Sequence, residues 1–428
     1  MESIQMLYLC DMEALRTFLP LFLALCIDFS GYCQGLNEIT NASFLKSISF
    51  KAGEGNHQFP LVQKGESFVL QFDDLLAQEN DYYYRIEYCN HDWTPSNLFK
   101  NEFLEGFDNQ RISNYRSSYG TLQRYTHYEL TLPNENTQFK LSGNYMISVF
   151  DSSDELMFSR KFLIHENLAS IEGAVYRSRE LAQYSTHQTV QFSINPLGFN
   201  LRNPNSDLNI VLLQNEQWDA IKTISKPQYV IGQELHYRYD LPLQFEGGNE
   251  FFYFDTKDNR VVNPSISHVE QEDVYQTYLF TDPERKNHPY TFNPDINGDF
   301  LINTVAGQDP AIEADYTQVY FSLAKQYTLK EEEIYLYGKF SNYELKDQYR
   351  LTYNPSYEVY EGTLLLKQGF YNYKYIWKSA EGLNKNLISG SHAATENQYI
   401  ILAYTRLIGS QHDALIATKT LSSFEIEN

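Results

Sequence analysis

The feature that most constrains this chain is the alternation of its patterned runs. In Thr189-Val190-Gln191-Phe192-Ser193-Ile194, polar and apolar residues exchange at every step, the period of a half-buried strand. The runs DYYYRIEYC (81–89), NYMISVFDS (144–152), LMFSRKFLIHE (156–166), EEEIYLYGKF (331–340) and QYIILAYTR (398–406) also read as strands. Each is short, rich in β-branched or aromatic residues, and bounded by turn formers. Pro196, Pro204, Pro227 and Pro242 fall between runs, where a missing N–H breaks no ladder. Helical periodicity is nearly absent. The pattern specifies an all-β chain built as tandem antiparallel immunoglobulin-like sandwiches.

Turn signals divide the chain. Residues 40–167 read as an N-terminal sandwich and 168–302 as a second. Residues 303–314, with the turn-rich TVAGQDPAIEA, read as a linker, and 315–428 as a C-terminal sandwich. Within 261–304, DVYQTYLFTD reads as a strand and DPERKNHPYTFNPDINGDF as a connection. Aromatic residues make up 15% of the chain, and 35 Tyr and 28 Phe far outnumber 3 Trp. Tyr suits sheet faces where the ring is buried and the hydroxyl reaches water.

The formal net charge of −22 repels nucleic acid and anionic headgroups, so no nucleic-acid partner is expected. Near the N-terminus, Arg16 precedes the apolar run TFLPLFLALCI, and Asp28 ends that run short of the ~20 residues a membrane span needs. Residues 1–33 therefore read as a signal peptide cut near Cys33/Gln34, from a start at Met1 or Met12, which marks the chain for export. Cys10, Cys26 and Cys33 would leave with it. The remaining Cys89 reads as a buried apolar group without a disulfide partner.

Between Trp93 and Tyr125 runs a long segment with no clean period. It carries Leu98, Phe99, Phe103, Leu104, Phe107, Ile112, Tyr115, Tyr119 and Leu122, too apolar for a solvated tether. These side chains bury against their own sandwich or against a partner. In the second case Asp92, Trp93, Pro95, Phe103, Glu105, Gly106, Phe107, Asp108, Tyr115 and Tyr119 form a docking surface of aromatics in a polar rim.

Catalytic and metal motifs are weak. HExxH, CxxC, GxSxG and the phosphate-binding P-loop are absent, and the 10 His are scattered. His91 and Asp92 are adjacent on a strand-like run, so they point to opposite faces. Ser410-Gln411-His412-Asp413 holds triad residue types, but triads are assembled by the fold and not by sequence neighbours. Asp295-Ile296-Asn297-Gly298-Asp299 opens like a calcium loop, yet Phe300 stands at the glycine position and Ala306 at that of the closing Glu. No enzyme, catalytic residue, cofactor, metal or small-molecule substrate is expected.

One resemblance is specific. Asp92-Trp93-Thr94-Pro95-Ser96-Asn97-Leu98, Glu105-Gly106-Phe107, Tyr115, Ser118-Tyr119, Thr121-Leu122, Tyr125-Thr126-His127-Tyr128-Glu129-Leu130, Pro133-Asn134 and Leu141-Ser142-Gly143-Asn144-Tyr145 together resemble the signature of the type IX secretion system plug protein family of Bacteroidetes. The resemblance implies a periplasmic β-rich protein that associates with a very large outer-membrane translocon barrel. It also implies that the protein closes the barrel's periplasmic mouth, without catalysis or cofactor. Glu105 stands where the family has Asp, with the charge kept. A weaker resemblance lies further on: Gly338-Lys339-Phe340-Ser341-Asn342-Tyr343 and GFYNYKYIW (369–377) are similar to family-48 carbohydrate-binding modules, with Tyr343 at a Trp position. That resemblance implies the fold and not the ligand; the alternative function is a periplasmic or surface glycan-binding protein using the Tyr-rich sandwich faces.

Overall fold

The structure is a computed structural model that describes residues 35–53, 58–199, 201–325, 333–424 and 426; the segment read as a signal peptide lies outside them. It is nearly all β, in several antiparallel sheets, none closed into a barrel.

The first sandwich packs Ile39–Thr40, Leu156–His165, Gly143–Asp151, Tyr82–Cys89 and Gln110–Arg111 against Leu45–Ala52, Phe68–Asp74, Thr126–Leu132 and Asn114–Ser117. Tyr82, Tyr84, Ile86 and Tyr88 alternate inward to meet Phe68, Leu70 and Phe72. Phe72 stacks on Tyr128 at 5.1 Å, and Tyr145 on Phe162 at 5.1 Å. The Tyr hydroxyls end at the rim of the core. Tyr145 donates to Leu141 O at 2.8 Å, Tyr128 to Asn80 O at 2.7 Å and Tyr82 to Asp74 Oδ2 at 2.8 Å. This explains how a core can be built of Tyr: the rings supply apolar area and the hydroxyls stay bonded.

The second sandwich departs from the sequence reading. One sheet joins Ala169–Arg177, His187–Pro196, Glu234–Tyr237 and Tyr229–Ile231; the other joins Ile221–Ile224, Leu208–Gln214, Gln398–Thr405 and Ala414–Ser422. The last two strands were expected in the C-terminal block, but Gln398–Thr405 pairs with Leu208–Gln214, and Ala414–Ser422 pairs in turn with Gln398–Thr405. The physical reason lies in Gln398–Thr405, a strand covered on both faces and hence apolar without alternation. Tyr399, Ile401 and Ala403 enter the second core, while Ile400, Leu402 and Tyr404 face the first sandwich.

The third sandwich is thereby enclosed between strands of the second. Phe252–Asp255, read with the second block, pairs instead with Gly369–Ser379, as do Phe300–Ile302 and Glu333–Tyr337. The facing sheet runs Ile266–Gln271, Tyr275–Leu279, Tyr316–Ala324, Val359–Lys367 and Thr352–Asn354. Within it Tyr275–Leu279 and Tyr316–Ala324 are parallel, an exception to the antiparallel expectation.

The first lobe meets each of the other two at a buried junction. Between the first and second sandwiches, Cys89, Trp93, Met146 and Leu163 pack on Val211, Leu213, Ile400, Leu402, Tyr404 and Leu415. Between the first and third lies a buried polar hub. Asp73 Oδ2 accepts from Lys367 Nζ at 2.6 Å and from Tyr316 OH at 2.7 Å, and His127 Nδ1 lies 2.7 Å from Oδ1. Burial opposes ionisation of Asp73, but Lys367 and His127 outweigh it and hold the carboxyl below its ordinary range. The 303–314 segment, expected as a linker, packs here. Its Pro310–Glu313 turn carries Ala311 O, which accepts from Lys367 Nζ at 2.7 Å.

Candidate docking surface

The residues expected to form one docking surface fall into three settings. Trp93 is buried at the first–second junction, with its ring 4.8 Å from Trp218 and the Lys161 ammonium 4.6 Å above it. The turn that places it is local. Asp92 Oδ1 accepts from Thr94 N at 3.0 Å, Trp93 N donates to Asn90 O at 2.9 Å, and Trp93 takes a left-handed φ of 67°. That backbone is costly for a bulky residue, and burial of the indole offsets it. Asp92 and Pro95 remain exposed beside this turn.

Phe103 is buried in the first core against Tyr88 and Tyr145. Trp93 and Phe103 are thus withdrawn from the docking surface, because each finds enough apolar contact inside the chain. Tyr115 is half-buried on Tyr128, with its hydroxyl 3.1 Å from Glu79 Oε2. Tyr119 is exposed at its ring, but its backbone N–H donates to Ile312 O at 2.9 Å, on the first–third junction.

The third setting is a protruding tip. Glu105, Gly106, Phe107 and Asp108 are all exposed, and Phe107 is 72% exposed. The tip is held rigidly: Leu104–Gly106 pairs with Thr137–Phe139, and Phe107 N donates to Asn136 O at 2.9 Å. Gly106 has φ 115°, and a Cβ there would lie 2.0 Å from Asn136 O, so only glycine permits this approach. Lys100 reaches Asp108 and brings Phe99, 78% exposed, into the same tip. Phe99 was absent from the expected surface, since nothing in its sequence neighbourhood separates it from the buried Phe103.

The motifs weighed for catalysis and metal binding are dispersed. His91 does not pair with Asp92; its Nδ1 lies 2.8 Å from Asp413 Oδ2 on the second sandwich. Asp413 also accepts from Arg406 Nε at 2.6 Å, and these partners hold its carboxyl well below the ordinary range against the effect of burial. Ser410 Oγ meets His412 Nδ1 at 2.7 Å, but the Asp413 carboxylate is engaged with His91 and Arg406 instead. Asp295 accepts from Phe251 N and Asn297 N, and Asp299 from Phe300 N. Among the described residues no group of three or more His, Cys, Asp or Glu is placed to hold a metal ion. Tyr343, at the Trp position of the sugar-binding motif, lies against Tyr337 at 5.0 Å within a buried cluster.

Residues 45–166 match the model described as "Type 9 secretion system plug protein 1st domain". The structure is similar to that of a hypothetical protein from Parabacteroides merdae, at 30% identity and a TM-score of 0.86, covering 91% of this chain and 99% of that one. An α-2-macroglobulin from Escherichia coli and three N-terminal domains of the bacteriophage RB49 outer capsid protein Hoc are each 11% identical, with TM-scores of 0.18 and 0.14, and carry no argument. No curated protein matches the chain. The matched model covers the first sandwich apart from Ile39–Thr40 and ends one residue past Leu156–His165, so sequence match and folded unit nearly coincide. The chain belongs to the type 9 secretion system plug protein family.

Proposed function

We propose that this chain plugs the type IX translocon, seated on the periplasmic mouth of an outer-membrane barrel and docking through the Phe99–Phe107 tip. The family match over residues 45–166 carries the reading. The family is a structural secretion component and not a known enzyme family. Among the described residues no helix is long and apolar enough to cross a membrane. A plug must keep its shape while a wide pore is sealed, and buried junctions such as Asp73–Lys367 and Trp93–Trp218 suit that task. The tip offers two exposed aromatics on fixed backbone beside charged groups, the composition of an interface hot spot.

Affinity isolation of the full chain from detergent-solubilised envelopes tests this. The expected result is co-purification of a very large outer-membrane barrel protein. Recovery of the chain without any barrel rejects the reading. The glycan-binding alternative draws little on the core Tyr, because rings such as Tyr82, Tyr128, Tyr371 and Tyr399 are fully buried, and it would rest on exposed rings such as Tyr119 and Tyr357.

A further inference from the structure

A cleft of about 320 Å³ opens between the first and third sandwiches, the size of a small organic ligand's pocket. Its lining includes Lys46, Arg160, Lys339 and Lys346, and no Asp or Glu. In a chain of net charge −22, a wall of cations without carboxylates runs against composition.

Arg160 is the central observation. It is 8% exposed. Its guanidinium donates to Ile39 O at 3.2 Å, Ser159 O at 2.8 Å and Thr40 Oγ1 at 3.0 Å, all neutral acceptors. Among the described residues no carboxylate forms an ion pair with it. The charges of Glu38 and Glu344 act on Arg160 but are outweighed by burial, and neither acid bonds to it: Glu38 accepts from Lys161 N and Asn342 Nδ2, and Glu344 pairs with Lys346 at 2.5 Å. A buried guanidinium with no carboxylate bonded to it is costly, and its planar fork is shaped for one.

Lys46 supplies the second cation. The register of Leu45–Ala52 slips between Lys46 and Ser49, and Ser47 takes φ 50°. Such bulges re-aim side chains beside binding sites. Among the described residues Lys46 has no ion pair, and its proton affinity is lowered by burial and then by the charge of Lys346. Like charges beside one cavity are relieved by a bound anion. The remaining lining mixes polar groups, among them Asn41, Ser47 and Gln348, with the apolar side chains of Leu45, Phe300 and Leu364.

The geometry points to a carboxylate site: this cleft takes a carboxylate on a short apolar body, with the charged end on Arg160 and Lys46 and the body over Leu45, Phe300 and Leu364. A free phosphate has no apolar part to cover that floor. The carboxylate belongs either to a small free acid or to an acidic side chain of a bound peptide, and the two sources are separable.

Calorimetric titration of the full chain tests the proposal. The probes are hexanoate, its uncharged match hexanol, and the capped peptide Ala-Phe-Glu-Phe-Ala with its Gln counterpart. Binding of hexanoate identifies a free acid; binding of the Glu peptide alone identifies a peptide-borne one. In either case the uncharged match should bind at least about tenfold more weakly, and Lys46→Met should lower affinity about tenfold. Arg160→Met should abolish binding if it folds; the half-buried Lys46 decides the matter if it does not. Equal binding of acid and uncharged match, wild-type affinity in Lys46→Met, or no binding of either acid at millimolar concentration overturns the proposal.

Discussion

Lys367 of the third sandwich places its ammonium 2.6 Å from the carboxylate of Asp73 in the first, with both side chains buried. The ammonium also lies 4.1 Å from the Tyr125 ring and donates to Ala311 O. Burial lowers the proton affinity of Lys367, and Asp73 opposes that shift. Removing one partner strands the other's charge. Lys367→Met should therefore destabilise the chain by about 3–5 kcal/mol in denaturant titration. Asp73→Asn combined with Lys367→Met should cost clearly less than the two single changes added together. Additive losses would show that the pair is not coupled.

Glu250 provides the pH dependence. It is buried, its Oε1 accepts from Tyr290 OH at 2.5 Å, and burial pushes its pKa from 4.5 to about 7 despite that bond. The folded chain therefore holds a proton that the unfolded chain releases between those values. Stability from this group is full below 4.5 and falls as pH rises through 7. Glu250→Gln should flatten this part of the stability–pH curve and raise stability above pH 7, by at most about 3 kcal/mol. Parallel curves for the two proteins would refute the assignment.

Trp93 was expected to meet a partner and instead holds two sandwiches together. Trp93→Ala should cost about 3–5 kcal/mol, as for other large-to-small core changes. Limited proteolysis should then cut between the first and second sandwiches sooner than in the wild type. A variant of unchanged stability would return Trp93 to the docking surface.

The tip should behave in the opposite way. Phe99→Asp and Phe107→Asp alter exposed side chains, so each should shift stability by no more than about 0.5 kcal/mol. Together they should abolish co-purification with the barrel. Retained co-purification would move docking to another face, while Lys46→Met should leave docking unchanged.

Much of the fold was legible because alternation is a local property. The run from Tyr82 to Cys89 declares a strand and its buried face without reference to anything distant. The family signature was legible for a related reason: Gly106 and Gly143 occupy backbone conformations with φ of 115° and 136°, where a side chain would collide with its neighbours. The partition of strands was less legible. Gln398–Thr405 pairs with Leu208–Gln214 nearly two hundred positions away, and nothing local names that partner.

The sequence by itself determined that this is an all-β chain with Tyr-built cores, because strand period and ring placement depend on neighbours one or two residues apart. Only the tertiary structure decided which aromatics are spent at junctions, which stay exposed, and that Arg160 lines a cleft with no carboxylate bonded to it. Those outcomes depend on surfaces that meet only after the three sandwiches close on one another, and a one-dimensional pattern holds no record of which side chains that closure covers.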